Sequence, residues 1–180
     1  MGPTCHETSE QAIVLRPIRT SDAGEVLTVQ RAAFVSEAQI YGDPSQGPLV
    51  QTLEQLTAEL EDAGGFVALL GERIVGAIRT SEGDDVLLIG RIAIAPDMQG
   101  RGIGRRLLAE AEESSTSSVA ELFTGSLSEA NIALYEKCGY RESTRIDNGD
   151  GTAQVFMRKP LRTLAPLAPP APLVPSRETG

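Results

Sequence analysis

Three glycines and three arginines crowd one junction of the chain, in the run IAIAPDMQGRGIGRRLLAEAEES, Ile92 to Ser114. Gly100, Gly102 and Gly104 alternate through the segment that follows Pro96. Each lacks a Cβ, so backbone N–H groups can approach a ligand closely and adopt left-handed dihedrals. Behind them Ile103, Leu107, Leu108 and Ala111 recur on one helical face. A helix therefore begins near Gly102, offering unpaired N–H donors and the positive end of a dipole. Arg101, Arg105 and Arg106 stand at that positive end, where cations are disfavoured unless a polyanion offsets them. The pattern describes a site for a phosphate or diphosphate. The plainer alternative is an exposed helix start carrying good helix-forming arginines. The order strand, proline, Gln99, glycines, arginines favours the anion site.

Two familiar phosphate loops are excluded. No G-x-x-x-x-G-K-[ST] run occurs, and GRGIGR departs from the dinucleotide fingerprint.

The elements around this junction alternate. A first strand is expected over Ala12 to Ile18, then a helix capped by Thr20 or Ser21. Leu49, Leu53, Leu56 and Leu60 keep a helical period across Leu49 to Asp62. FVALL and IVGAIRTS, joined by GER, read as two strands and a tight turn, and EGDD leads into a third strand, Val86 to Ala95. Pro96 ends its ladder. After the glycine turn and its helix come a short strand, ELFTGSL, and a short helix, NIALYEKCG, stopped by Gly139. YRESTRI and TAQVFMRK close the chain as a hairpin around DNGDG. The order β-α-α-β-β-β-α-β-α-β-β predicts an α/β (α+β) fold with a mixed, mainly antiparallel sheet and helices on both faces.

Bulk composition narrows the function classes. A chain of 180 residues, 41% hydrophobic and 23% charged, suits one domain, expected over residues 12–160. Residues 1–11 read as a flexible N-terminal segment and 161–180 as a flexible, Pro/Ala-rich tail. The first ten residues lack a secretory signal, and His6 stands where a myristoylation site needs Ser or Thr. No apolar run is long enough to span a bilayer. A net charge of −9 argues against nucleic acid and leaves room for a cationic small molecule. One histidine and two cysteines, Cys5 and Cys138, make neither a metal site nor a disulfide framework. A cytoplasmic location follows as the default, with no membrane, nucleic-acid or metal partner.

The segment IAIAP followed by Gln99, Gly102 and Gly104 resembles the acetyl-coenzyme A (acetyl-CoA) motif of the GNAT superfamily of N-acetyltransferases, a Q/R-x-x-G-x-G/A turn after a strand. NIALYEKCGY resembles the family's second motif, keeping Asn131, Tyr135, Gly139 and Tyr140. The element order is similar to the family's from Leu15 to about Arg158. The resemblance implies a central sheet of about seven strands with a splayed cofactor cleft. Backbone groups of Ile92, Ala93 and Ile94 would pair with the pantetheine arm like an added strand. N–H groups of Gln99, Gly100, Arg101, Gly102, Ile103 and Gly104, with Arg105 behind, would bind the diphosphate. Arg101 or Arg106 would reach outer phosphates, and Asn131 would bind the cofactor arm.

Tyr135 would sit near the thioester sulfur and protonate the leaving thiolate; four residues from Asn131, it shares that helix face. The competing role is a packing tyrosine. Cys138 shares the face but lacks an activating neighbour and reads as a small apolar filler. Attack by an amine on the acetyl carbonyl would be stabilised by strand backbone donors. The strand that carries a glutamate base in many family members has Gly90 and Arg91 here. Glu37 is the expected base or acceptor contact, beside Glu82, Asp84, Asp85 and a water chain as alternatives. Phe34, Glu37, Tyr41 and Asp43 are the expected acceptor wall, suited to a primary amine with an apolar body. The leading expectation is acetyl transfer to the amine of a small molecule. A protein lysine or N-terminal acetyltransferase and a non-catalytic coenzyme A (CoA) sensor are the alternatives. The resemblance also leaves room for a homodimer.

Overall fold

The computed structural model describes residues 12–161; both expected terminal segments otherwise lie outside the described residues. The chain begins with β1 (Ile13–Pro17), a 3-10 turn (Thr20–Asp22) and the long helix α1 (Ala23–Tyr41). Two helices follow, α2 (Gly47–Val50) and α3 (Leu53–Asp62). Then come β2 (Gly64–Leu70), β3 (Arg73–Gly83) and β4 (Val86–Ile94). The second half holds α4 (Ile103–Ser114), β5 (Val119–Gly125), α5 (Glu129–Lys137), β6 (Arg141–Asp147) and β7 (Ala153–Pro160).

The expected helix over Leu49 to Asp62 is two helices. Thr52 takes an extended conformation and caps α3 by accepting from the Gln55 N–H at 3.2 Å, while the Gln55 side chain accepts from the Thr52 N–H at 2.9 Å. This reciprocal capping box satisfies helix-end donors and outweighs the continuous leucine period. Leu56 and Leu60 enter the core, whereas Leu53 stays exposed.

Seven strands form one sheet in the order β1-β2-β3-β4-β5-β7-β6. Every pairing is antiparallel except β4 with β5. The α4 face read from the sequence is buried as expected, with Ile103, Leu107, Leu108 and Ala111 nearly inaccessible. It packs so closely on β3 that a Cβ on Gly76 would lie 2.9 Å from Ile94 Cδ1 and 3.2 Å from Ile103 Cγ2. None of the described helices is long and apolar enough to cross a membrane.

One irregularity shapes the site. In the β3–β4 ladder Arg79 faces Gly90 and Ala77 faces Ala93, so Arg91 and Ile92 together oppose Ile78. This is a β-bulge, and Arg91 takes the left-handed region, φ 52°. A bulge bends its strand and increases its twist. On the other edge β4 pairs with β5 only over Val86–Ile89. Beyond Ile89 the two strands part, and the edge of β4 from Gly90 to Ile94 carries backbone groups unpaired to β5.

Candidate active site

The glycine turn lies at the open end of that split. Pro96–Met98 form a single 3-10 turn, and α4 starts after Gly102. Gly100 and Gly102 both hold φ 76°, a region that L side chains resist. No atom lies within 4 Å of the place a Cβ would occupy at either glycine. The turn is therefore open, and glycine is required by conformation. The first backbone bond of α4 runs from the Arg106 N–H to the Gly102 carbonyl, 3.1 Å. The N–H groups just before it belong to the unpaired start of the helix. The Gln99 side chain donates to the Ile94 carbonyl at 3.4 Å and links the turn to the end of β4.

Ile92, Ile94, Gln99, Gly100, Gly102, Ile103, Gly104, Arg105, Asn131 and Tyr135 line one cavity of about 740 Å³. Phe34, Glu37 and Ile40 of α1 wall its other side. Two expected residues stand apart. Ala93, which is buried, and Arg101 are outside the lining, though the contacts expected of both run through backbone groups. Arg106 also points elsewhere: its guanidinium donates to the Ile13 carbonyl at 2.9 Å and fastens α4 to β1. An open glycine turn with free donors, a cationic side chain behind it and an unpaired strand edge fit the diphosphate and amide arm of CoA. Among the described residues no cluster of three His, Cys, Asp or Glu side chains could hold a metal.

Tyr135 is 8% exposed and lines this cavity. Burial, then the Glu37 charge, then Cys138 raise its phenol well above the ordinary range. The group stays protonated at neutral pH, as a proton donor must. The Cys138 thiol is pushed up by burial as well, away from the reactive thiolate, and the side chain packs against the core.

Glu37 is the one carboxylate lining the cavity. It accepts from Ser128 Oγ at 2.5 Å and from Asn131 Nδ2 at 3.1 Å. Tyr41 continues the bridge between α1 and α5: its hydroxyl accepts from the Leu127 N–H at 2.9 Å and lies 3.1 Å from Ser128 Oγ. Sequence reasoning singled out Glu37 and Tyr41 but missed Ser128, whose only signal is its place before an acidic helix start. The expected acceptor wall divides: Phe34 and Glu37 face the cavity, Tyr41 pins α5, and Asp43 folds into its own turn with Ser45. Glu82 bonds Ser115 and Asp85 bonds Ser118, at the paired end of β4, remote from the split.

Tyr41 fits only because residue 125 is glycine. A Cβ there would lie 2.0 Å from the Tyr41 hydroxyl. Gly125→Ala should expel Tyr41 and destabilise the protein by about 1–3 kcal/mol, a Tm loss of several degrees in thermal unfolding. In a double-mutant cycle with Tyr41→Ala, the combined loss should be smaller than the sum.

A second cavity, about 400 Å³, opens across β4. Arg79, Leu88, Gly90, Arg91, Glu121, Phe123 and Phe156 line it, with Glu59 of α3 and Ala63 just after that helix. Arg79 is 4% exposed. Its guanidinium donates to Gln30 Oε1 at 2.9 Å and Gln51 Oε1 at 3.4 Å, and its Nε lies 3.1 Å from Glu59 Oε1 without hydrogen-bond alignment. Burial, against the pull of Glu59, lowers its pKa to about 10, so it remains charged at neutral pH. An arginine inside an apolar strand, IVGAIRTS, was the available sequence signal.

Solved structures share this fold at low sequence identity. The ribosomal-protein-S18-alanine N-acetyltransferase from Escherichia coli superposes with a TM-score of 0.70 at 20% identity, covering 87% of this chain and 99% of that one. The PaiA N-acetyltransferase from Thermoplasma acidophilum, in complex with coenzyme A, gives 0.68 at 19% identity, covering 83% and 99%. Among curated proteins, UPF0157 protein YqkA of Bacillus subtilis (strain 168) is 25% identical over 130 residues, 72% of this chain. The chain spans only 37% of that relative's length. The family model described as acetyltransferase (GNAT) matches residues 31–140, from within α1 through the glycine turn to the end of the Asn131 helix. Because that match covers more than half of the sequence and both motifs, the chain belongs to the GNAT family of acetyltransferases.

Proposed function

We propose that the chain is an N-acetyltransferase that moves an acetyl group from acetyl-CoA to the amine of a small molecule by direct attack. The observation that carries this reading is the split between β4 and β5, open beside the glycine turn and lined by Tyr135. Acetyl-CoA supplies an activated acetyl thioester. The turn from Gln99 to Gly104, with Arg105 and the α4 dipole, binds the diphosphate. The backbone of Ile92 to Ile94 pairs with the pantetheine arm, and Asn131 holds it with its remaining amide oxygen. Tyr135 gives its proton to the departing thiolate. Glu37, the carboxylate nearest to Tyr135 and Asn131, takes the proton of the attacking amine.

The modest size of the second cavity, about 400 Å³, supports a small acceptor over an extended peptide. Thiol release from acetyl-CoA, measured across free amines, lysine peptides and N-terminal peptides, tests the reading. Free amines should be acetylated with one thiol released per acetyl group. Release with peptides alone would move the function to protein acetylation, and release with none would leave a CoA-binding module.

A further inference from the structure

Two arginines and two carboxylates line the second cavity, and both carboxylates are paired with arginines other than Arg91. Arg79 faces Glu59, and Glu121 is paired with Arg158. Arg91 is half-buried and makes no ion pair or hydrogen bond among the described residues. The bulge holds its backbone left-handed, and a Cβ on Gly47 would stand 3.3 Å from its Nη2. Two arginines thus meet in one cavity of a chain whose net charge is −9. Part of Arg79 is also unsatisfied, since its buried Nε has no hydrogen-bond partner. A guanidinium held half-buried without a counter-ion favours an incoming anion, and its planar fork matches a carboxylate. Apolar surface adjoins it: Leu88 is 46% and Phe123 57% exposed, and the Phe123 ring stands 5.6 Å from that of Phe156.

Resting on the acetyl-transfer reading, we propose that the acceptor is a free amino acid with an apolar side chain: Arg91 binds its carboxylate, and Leu88, Phe123 and Phe156 receive its side chain. Gly90 and Arg91 adjoin Ile92 of the first cavity, so an α-amine held beside that carboxylate faces the β4 edge. The amine nitrogen bonds to the acetyl carbon and the C–S bond breaks. One proton leaves the amine for Glu37, one passes from Tyr135 to the thiolate, and the products are an N-acetyl amino acid and CoA. Solvent returns the proton balance of the two side chains.

The test compares L-phenylalanine with phenethylamine, which lacks the carboxylate, and with phenylalaninamide, which replaces it by a neutral amide. Phenylalanine should exceed both in kcat/KM by about 30-fold or more, the range for a charge-assisted pair. Arg91→Gln should bring the ratio close to one, chiefly through KM, while Arg91→Lys should keep part of it. CoA affinity and circular dichroism of each variant report on folding. Equal or better turnover of phenethylamine would overturn the inference. A second measurement, calorimetric binding of phenylalanine to the CoA-saturated protein, separates the two readings. Binding that Arg91→Gln abolishes, without thiol release from any amine, would retain the carboxylate site and reject the acetyl-transfer reading. Neither binding nor release would overturn the carboxylate site too.

Discussion

Tyr135→Phe is expected to lower kcat by about 100-fold or more, the low end of what a positioned general acid contributes. The substitution removes one oxygen from a side chain that is otherwise packed, with its ring 6.2 Å from Tyr140 in an edge arrangement. Packing and CoA affinity should therefore change little, and the effect should fall on kcat. Stopped-flow thiol detection beside calorimetric titration separates the two. An unchanged kcat would reduce Tyr135 to a packing residue. The pH profile adds a sign. Burial and the Glu37 charge raise the phenol above its ordinary 10.0, so the protonated acid persists as pH rises. Any fall in kcat caused by losing this proton lies above pH 10. The acid limb belongs to deprotonation of the acceptor amine.

Gly102→Glu should abolish measurable CoA binding. Two effects combine at one position. A non-glycine residue at φ 76° costs about 1–2 kcal/mol. A carboxylate placed against a diphosphate costs more: two like charges 4 Å apart near a protein surface repel by about 4 kcal/mol. Together they exceed a 100-fold loss of affinity, ~2.8 kcal/mol. The fold should survive, because a carboxylate at a helix N-terminus is favourable and no atom lies within 4 Å of the Gly102 Cβ position. Gly102→Ala separates strain from charge, and should lose affinity by a far smaller factor. Retained affinity in Gly102→Glu would remove the turn as the diphosphate site.

Much of the fold was legible because it rests on local signals. Alternation and turn residues located the seven strands, and Ile103, Leu107, Leu108 and Ala111 marked the buried face of α4. Gly100 and Gly102 were legible as a bare turn because their left-handed geometry is a property of glycine. The long-range features were not. The β4 bulge arises from a mismatch in register between β3 and β4, and nothing in LLIGRIAIA announces that Arg91 will hold a positive φ. The Glu37–Ser128–Asn131 bridge joins residues about ninety positions apart. The division of Leu49 to Asp62 into two helices was available in Thr52 and Gln55, but the leucine period masked it. Arg79 needed the fold too, since Gln30, Gln51 and Glu59 meet it only when α1 and α3 pack on β3.

The most direct measurement of the central claim is an isothermal titration of CoA into the intact protein at two salt concentrations. The cleft beside the glycine turn should bind one CoA per chain, and affinity should weaken as salt screens Arg105 and the helix start from the diphosphate. Absence of binding at millimolar CoA, or binding that Gly102→Glu leaves intact, would contradict it.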